Sequence, residues 1–83
     1  MKKKIKELVD DLIKDLNVFV DDAFIEIQEG ENVLCIVLDS KDVIDLNLIT
    51  KASRIINKKL DQQKELLKDI AQVDIYSKEK GEN

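Results

Sequence analysis

Residues 33–54 read VLCIVLDSKDVIDLNLITKASR, and this stretch decides the fold. Its first six residues, VLCIVL, are apolar without interruption, which is typical of a strand that is central in its sheet or covered on both faces. A short polar hinge follows at 40–44, and a helix that Asp45 or Asn47 can cap begins after it. Apolar residues then recur at helical spacing on one helix face: Leu48, Ile49, Ala52, Ile55, Ile56 and Leu60. We expect this helix to break near 62–64.

Two further elements precede this unit. Residues 3–16 carry one apolar stripe at helical spacing, which predicts an amphipathic helix that ends at Asn17. Residues 18–28 predict a strand whose inward-facing parity changes at Asp21-Asp22, so we expect a β-bulge there. The sequence EGEN at 29–32 predicts the turn of a hairpin.

One strand follows, because residues 71–77 alternate apolar and polar side chains. The resulting order predicts an α+β fold, a two-layer α-β-β-α-β sandwich with a three-stranded mixed sheet and two helices on one face. The second and third strands are joined through a helix and should therefore be parallel. We expect a single domain over residues 1–77 and a polar tail over 78–83. In the central strand we assign Leu34, Ile36 and Leu38 to the core, which leaves Val33, Cys35 and Val37 as an apolar strip on the open sheet face.

Composition argues against catalysis. The chain has 83 residues, a net charge of −4, one cysteine and no histidine. Without histidine it lacks the usual general base and the commonest metal ligand, so we expect a non-enzymatic protein with no cofactor and no metal site. Asp39, Asp42 and Asp45 do not match a calcium-binding loop, which needs alternate ligands and a central glycine. The lone cysteine predicts a cytoplasmic protein.

The net negative charge weakens any expectation of non-specific nucleic-acid binding. Short basic clusters occur at Lys2–Lys4, Lys58–Lys59 and Lys78–Lys80, and their simplest interpretation is solvated helix ends or tails. No apolar run approaches the roughly 20 residues of a membrane helix, so we expect no membrane association.

The stretch that decides the fold also carries a family resemblance. An apolar strand ending in aspartate, an acidic hinge, a helix start and a turn containing serine and arginine follow one another in it. The matching residues are Leu34, Ile36, Leu38 and Asp39, then Ile44, Asp45 and Leu46, then Ala52, Ser53 and Arg54. In this order the chain resembles the N-terminal domain of the ribosome maturation factor RimP family. The first helix, the first strand and the final VDIYS also fall where that domain has them.

The resemblance implies a cytoplasmic, non-enzymatic assembly factor that acts in maturation of the small (30S) ribosomal subunit. It implies docking on the immature small subunit through ribosomal protein and rRNA, and the acidic charge of the chain suits a basic ribosomal protein. It also implies a following SH3-like domain, in which case residues 78–83 are a cut linker; a short divergent relative is the other interpretation. The residues we assign to partner binding are Asp39, Asp42, Asp45, Arg54, Tyr76 and Ser77, and turn, cap or solvated surface is the alternative role for each. The alternative function is a generic protein–protein adaptor of the same fold that uses its open sheet face.

Overall fold

The computed structural model describes residues 2–41 and 46–78 of the chain. The elements, in chain order, are α1 (Lys2–Ile13) with a short 3₁₀ turn (Lys14–Leu16), β1 (Phe19–Gln28), β2 (Glu31–Asp39), α2 (Leu46–Asp61) and β3 (Gln72–Ser77). The sheet order is β1-β2-β3, with β1 antiparallel and β3 parallel to the central β2. The predicted α+β fold and strand directions are therefore confirmed. In the described part of the chain, no helix is long and apolar enough to cross a membrane.

The core lies between the sheet and the two helices. Leu34, Ile36 and Leu38 of β2 are fully buried, as the strand pattern predicts. Against them pack residues of both helices: Ile5, Val9 and Ile13 of α1 and Ala52, Ile56 and Leu60 of α2. Each large aliphatic side chain buried in this way contributes about 1.5–3 kcal/mol to the stability of the fold.

The predicted bulge in β1 is confirmed. Val20 is opposite Leu38, but Asp22 is opposite Val37, so the register shifts by one residue between Val20 and Asp22. The extra residue moves the inward parity onto Ala23, which is buried.

Farther along the strand, Ile25 and Ile27 share the inward parity that the sequence predicts, but they are 44% and 72% exposed. The reason is length, because ten strand residues span about 33 Å whereas the twelve residues of α1 span about 18 Å. The tip of the hairpin therefore extends beyond the helix that covers its base.

The C-terminal ends of both helical segments follow the sequence signals. Asn17 has a φ of 61°, and its backbone N–H donates to the carbonyl of Lys14 at 3.0 Å. The helix α2 ends at Asp61, next to the expected break at 62–64. Asn47 lies inside α2 and so does not cap it, while Asp45 lies outside the described residues.

Side chains of α1 hold the outer edge of β1. Lys6 Nζ donates to the carbonyl of Val20 at 3.0 Å, and the Val20 N–H donates to Asp10 Oδ1 at 2.9 Å. Lys6 and Asp10 also form an ion pair at 2.8 Å, and Lys6 lies 5.4 Å from the centroid of the Phe19 ring. These contacts satisfy backbone groups that an edge strand would otherwise offer to another chain.

We expect Asp10→Ala to lower the free energy of unfolding by about 1–2 kcal/mol, because it removes the acceptor of a backbone N–H on a buried residue. Urea denaturation measures this change. Asp11→Ala is the matched control on the same helix, since that side chain is 88% exposed and its ion pair with Lys14 is 4.0 Å long. A loss of equal size in both variants would contradict the role of Asp10.

The β1–β2 hairpin closes through two residues in left-handed conformations. Glu29 has a φ of 50° and Gly30 a φ of 81°, which together give the type I′ geometry that suits the twist of a hairpin. Glycine adopts this conformation freely, whereas glutamate does so at a cost of about 1 kcal/mol.

Replacing Glu29 by asparagine should therefore stabilise the protein by about 0.5–1 kcal/mol, because asparagine tolerates the left-handed region. The midpoint of urea denaturation should rise at an unchanged slope. Glu31→Asn makes the same chemical change at an exposed strand position, where asparagine is disfavoured, and should bring no gain. Equal stabilisation by both would show that removal of negative charge, and not the turn, is responsible.

Candidate functional site

One face of the sheet packs against the helices, and the other carries no helix in the described part of the chain. Over residues 33–38 of β2, where all three strands are paired, strand alternation and register place three side chains from each strand on this open surface. We call it the acidic face, and it comprises Asp22, Phe24 and Glu26 of β1, Val33, Cys35 and Val37 of β2, and Gln72, Asp74 and Tyr76 of β3.

The apolar centre of the acidic face is covered. Val33, Cys35 and Val37 lie on the open face, as predicted, but they are only 3%, 2% and 9% exposed, so the prediction that they form an exposed strip was wrong. Each of these residues lies between longer side chains on both neighbouring strands. Cys35, for example, lies between Phe24 and Asp74. Side chains of the two outer strands thus form the accessible surface.

The charge of this surface has one sign. The three strands contain six acidic residues and no lysine or arginine: Asp21, Asp22, Glu26, Glu31, Asp39 and Asp74. Lys78 follows β3 and pairs with Asp21 at 3.6 Å, at one end of the sheet. The acidic face therefore presents a negative potential to solvent.

Neutral donors hold the carboxylates of this face. The Ala23 N–H donates to Asp22 Oδ1 at 2.9 Å, and Gln28 Nε2 donates to Glu26 Oε1 at 2.9 Å. Within the described residues, no ion pair involves Asp22, Glu26 or Asp74. Their negative charges consequently remain available to a partner.

The field of these carboxylates acts on the two other titratable groups of the face. Burial, followed by the charges of Glu26 and Asp74, raises the pKa of the Cys35 thiol. Burial also raises the pKa of Tyr76, with further increases from Cys35, Glu26, Asp74 and Asp22. Cys35 is a free, buried cysteine that is held as a thiol, the weakly nucleophilic form.

Two of the six residues assigned from the sequence lie at one end of this sheet, on its open side. Tyr76 is 43% exposed and lies opposite Val37 within the acidic face. Asp39 ends β2 opposite Phe19, is half-buried, and accepts the Ser40 N–H at 2.7 Å.

The other four are elsewhere. Ser77 is opposite Leu38 on the side of the sheet that faces the core. Arg54 is exposed on α2, in the helical layer, and so lies apart from the acidic face. Asp42 and Asp45 lie outside the described residues. The structure thus does not bring the six together as one site.

Sequence reasoning missed the residues that define the acidic face, namely Asp22, Phe24, Glu26 and Asp74. The pair Asp21-Asp22 reads as simply solvated when each strand is considered alone. A signal was nevertheless present in the sequence. Once the strands are assigned, alternation shows which strand positions face away from the core, and none of these positions carries a basic residue.

Among the described residues, no group of three histidine, cysteine, aspartate or glutamate side chains is arranged to hold a metal ion. No protein-family model matches the chain, and no curated protein matches it significantly.

The single tyrosine reports on this surface. We expect Tyr76 in the folded protein to titrate above the ordinary value of 10.0, because burial and the nearby carboxylates disfavour the phenolate. Absorbance at alkaline pH measures this pKa without interference, since the chain has no tryptophan and no second tyrosine. The raised pKa also means that the folded state holds this proton more tightly. Its contribution to stability is therefore complete below the ordinary pKa and is lost as the pH rises above it.

The double variant Glu26→Gln, Asp74→Asn should bring the pKa of Tyr76 closer to its ordinary value while burial still keeps it raised. The control Asp11→Asn, Asp15→Asn makes the same change of charge on the helical layer and should leave the pKa of Tyr76 unchanged. A pKa that does not move in the first variant would contradict the arrangement of the acidic face.

Proposed function

We propose that this protein is a non-enzymatic binding module of ribosome assembly that acts in the cytoplasm on the immature small ribosomal subunit. Its acidic face binds a basic ribosomal protein of that particle. The proposal joins the resemblance to the RimP N-terminal domain with the chemistry of the open sheet surface.

The observation that carries this proposal is the uncompensated charge of the acidic face. Asp22, Glu26 and Asp74 lie on one unpartnered sheet surface whose carboxylates have no cationic partner among the described residues. A basic protein supplies the complementary charge, which raises the association rate and selects the correct partner. Phosphate groups, in contrast, are repelled from this surface.

The aromatic residues of the acidic face add to this preference. Phe24 is half-buried and Tyr76 is 43% exposed, on opposite sides of the central strand. Each offers a ring to an approaching lysine or arginine, which are the side chains that form cation–π contacts. A partner rich in basic residues therefore fits both the charge and the rings.

The size of the face indicates the strength of the contact. Three strands about 4.8 Å apart, paired over six residues at about 3.3 Å each, form a surface of about 300 Å². Stable complexes bury about 800 Å² on each partner. The association we propose is therefore weak and transient unless the partner reaches beyond the acidic face, which suits a factor that must leave the particle.

The RimP-like stretch supports the ribosomal assignment. Leu34, Ile36 and Leu38 form the buried side of the central strand, and Ala52 lies in the core on the following helix. These residues are among those that carry the resemblance. The free, buried Cys35 is in keeping with a reducing compartment.

Co-sedimentation of the protein with immature and mature small subunits tests the proposal. We expect preferential binding to the immature particle, weakening as salt rises because exposed charges are screened. The triple variant Asp22→Asn, Glu26→Gln, Asp74→Asn should reduce the bound fraction at least five-fold while the amides keep the hydrogen-bond acceptors.

The matched control is Asp11→Asn, Asp15→Asn, Glu65→Gln, which changes the net charge equally at exposed positions outside the sheet. It should bind like the unmodified protein. Equal losses in both triple variants would show that net charge alone matters. Absence of binding to either particle at low salt would refute the ribosomal assignment.

A generic protein–protein adaptor is the second candidate function. The acidic face supports it as strongly as it supports the ribosomal function, because the charge of this face selects a basic partner of any origin. The two candidates differ in one result. An adaptor binds a lysine- and arginine-rich peptide through Asp22, Glu26 and Asp74 but does not discriminate between immature and mature subunits.

A further inference from the structure

The outward side of α2 carries a row of basic residues. Ala52, Ile56 and Leu60 form the buried side of this helix. Positions on the opposite side are 47, 51, 54 and 58, all exposed, and three of them are basic. We call Lys51, Arg54 and Lys58 the α2 stripe.

The charges of the α2 stripe have no partner among the described residues. The ion pairs of the described residues join Lys6 to Asp10, Lys14 to Asp11 and Lys78 to Asp21, and none reaches α2. The helix itself contains four basic residues and a single acid, Asp61. The chain as a whole has a net charge of −4, so α2 is a local region of positive charge on an acidic molecule.

The spacing of the stripe is regular. With a rise of 1.5 Å per residue, its three positions lie about 4.5 Å and about 6 Å apart along the helix axis. The row therefore spans about 10 Å on a rigid element that packing holds in place. A polyanion with closely repeated charges, such as a nucleic-acid backbone, matches such a row.

We propose that the α2 stripe binds the phosphate backbone of RNA. The choice of RNA over DNA rests on the proposed function in ribosome assembly, whereas the choice of a phosphate backbone rests on the stripe alone. The exposed residues beside it, Asn47, Thr50 and Asn57, are polar. Asn47 and Asn57 add neutral donors for phosphate and sugar oxygens, whereas the Thr50 hydroxyl already donates to the carbonyl of Leu46 at 2.9 Å.

The position of the stripe also separates the two partners. The α2 stripe points away from the core on the helical layer, whereas the acidic face lies on the far side of the sheet. A basic protein and an RNA strand can thus occupy opposite sides of one small domain. The negative sheet repels RNA and directs it to the helix.

Fluorescence anisotropy with a labelled 20-nucleotide RNA tests this inference. Unlabelled DNA of the same sequence and polyglutamate serve as competing anions. At physiological salt, the full chain should bind the RNA with a Kd of about 1 to 100 μM, as expected for backbone contacts alone. The variant Lys51→Gln, Arg54→Gln, Lys58→Gln should bind at least ten-fold more weakly. The slope of its log affinity against log salt concentration should be smaller in magnitude by about 2, because three phosphate contacts to a single strand are lost.

The matched control is Lys2→Gln, Lys3→Gln, Lys4→Gln, which removes the same charge from exposed positions at the start of α1. It should keep at least half of the affinity. Circular dichroism should show the same helix content and melting temperature for both variants, because all six residues are exposed. Equal losses in the two variants, tighter binding to DNA than to RNA, or equal competition by polyglutamate would each overturn the inference.

The result is independent of the subunit experiment. RNA binding that depends on the α2 stripe, without discrimination between subunits, would refute the ribosomal function and leave the phosphate site standing. Subunit binding that depends on the acidic face, without RNA binding, would refute the inference and leave the proposed function standing.

Discussion

The structure depends on one constraint, which is that the central strand β2 is apolar on both of its faces and must be shielded on both. Among the described residues, both helices pack on the same face of the sheet. The helices α1 and α2 cover Leu34, Ile36 and Leu38, and side chains of the neighbouring strands cover Val33, Cys35 and Val37. The strand β2 must therefore lie at the centre of the sheet, and the order β1-β2-β3 follows from this requirement.

The same constraint shapes the candidate site. Side chains that shield the open face must be long enough to reach across β2 and polar enough to meet water. Phe24 and Tyr76 provide the apolar part of this cover, and Glu26 and Asp74 provide charged ends. The acidic face is consequently both the cover of the central strand and the surface that a partner would meet.

Charge is divided between the two layers of the fold. The strands contain acidic residues and no basic ones, whereas α2 contains four basic residues and one acid. Because low-dielectric core separates the two surfaces, the opposite charges do not neutralise one another at close range. The division gives a small domain two surfaces of different specificity, which is the physical basis for both the proposed protein contact and the proposed RNA contact.

By itself the sequence determined the features that depend on neighbouring residues. The helix end at Asn17, the bulge beside Asp22 and the end of α2 all follow from local backbone preference and local periodicity. Strand alternation divides β2 into two sides in the same local way, but both sides are apolar, so the packing of the helices decides which side belongs to the core.

Only the tertiary structure decided what depends on lengths and registers of distant elements. Ile25 and Ile27 are exposed because α1 is shorter than β1, a comparison that no single stretch of sequence contains. Val37 is covered because the register places Asp22 and Tyr76 on either side of it. Arg54 is separated from Tyr76 for the same kind of reason, since one belongs to the helical layer and the other to the open face. Cross-strand neighbours are set by pairing between residues far apart in the chain, and the acidic face exists only once that pairing is made.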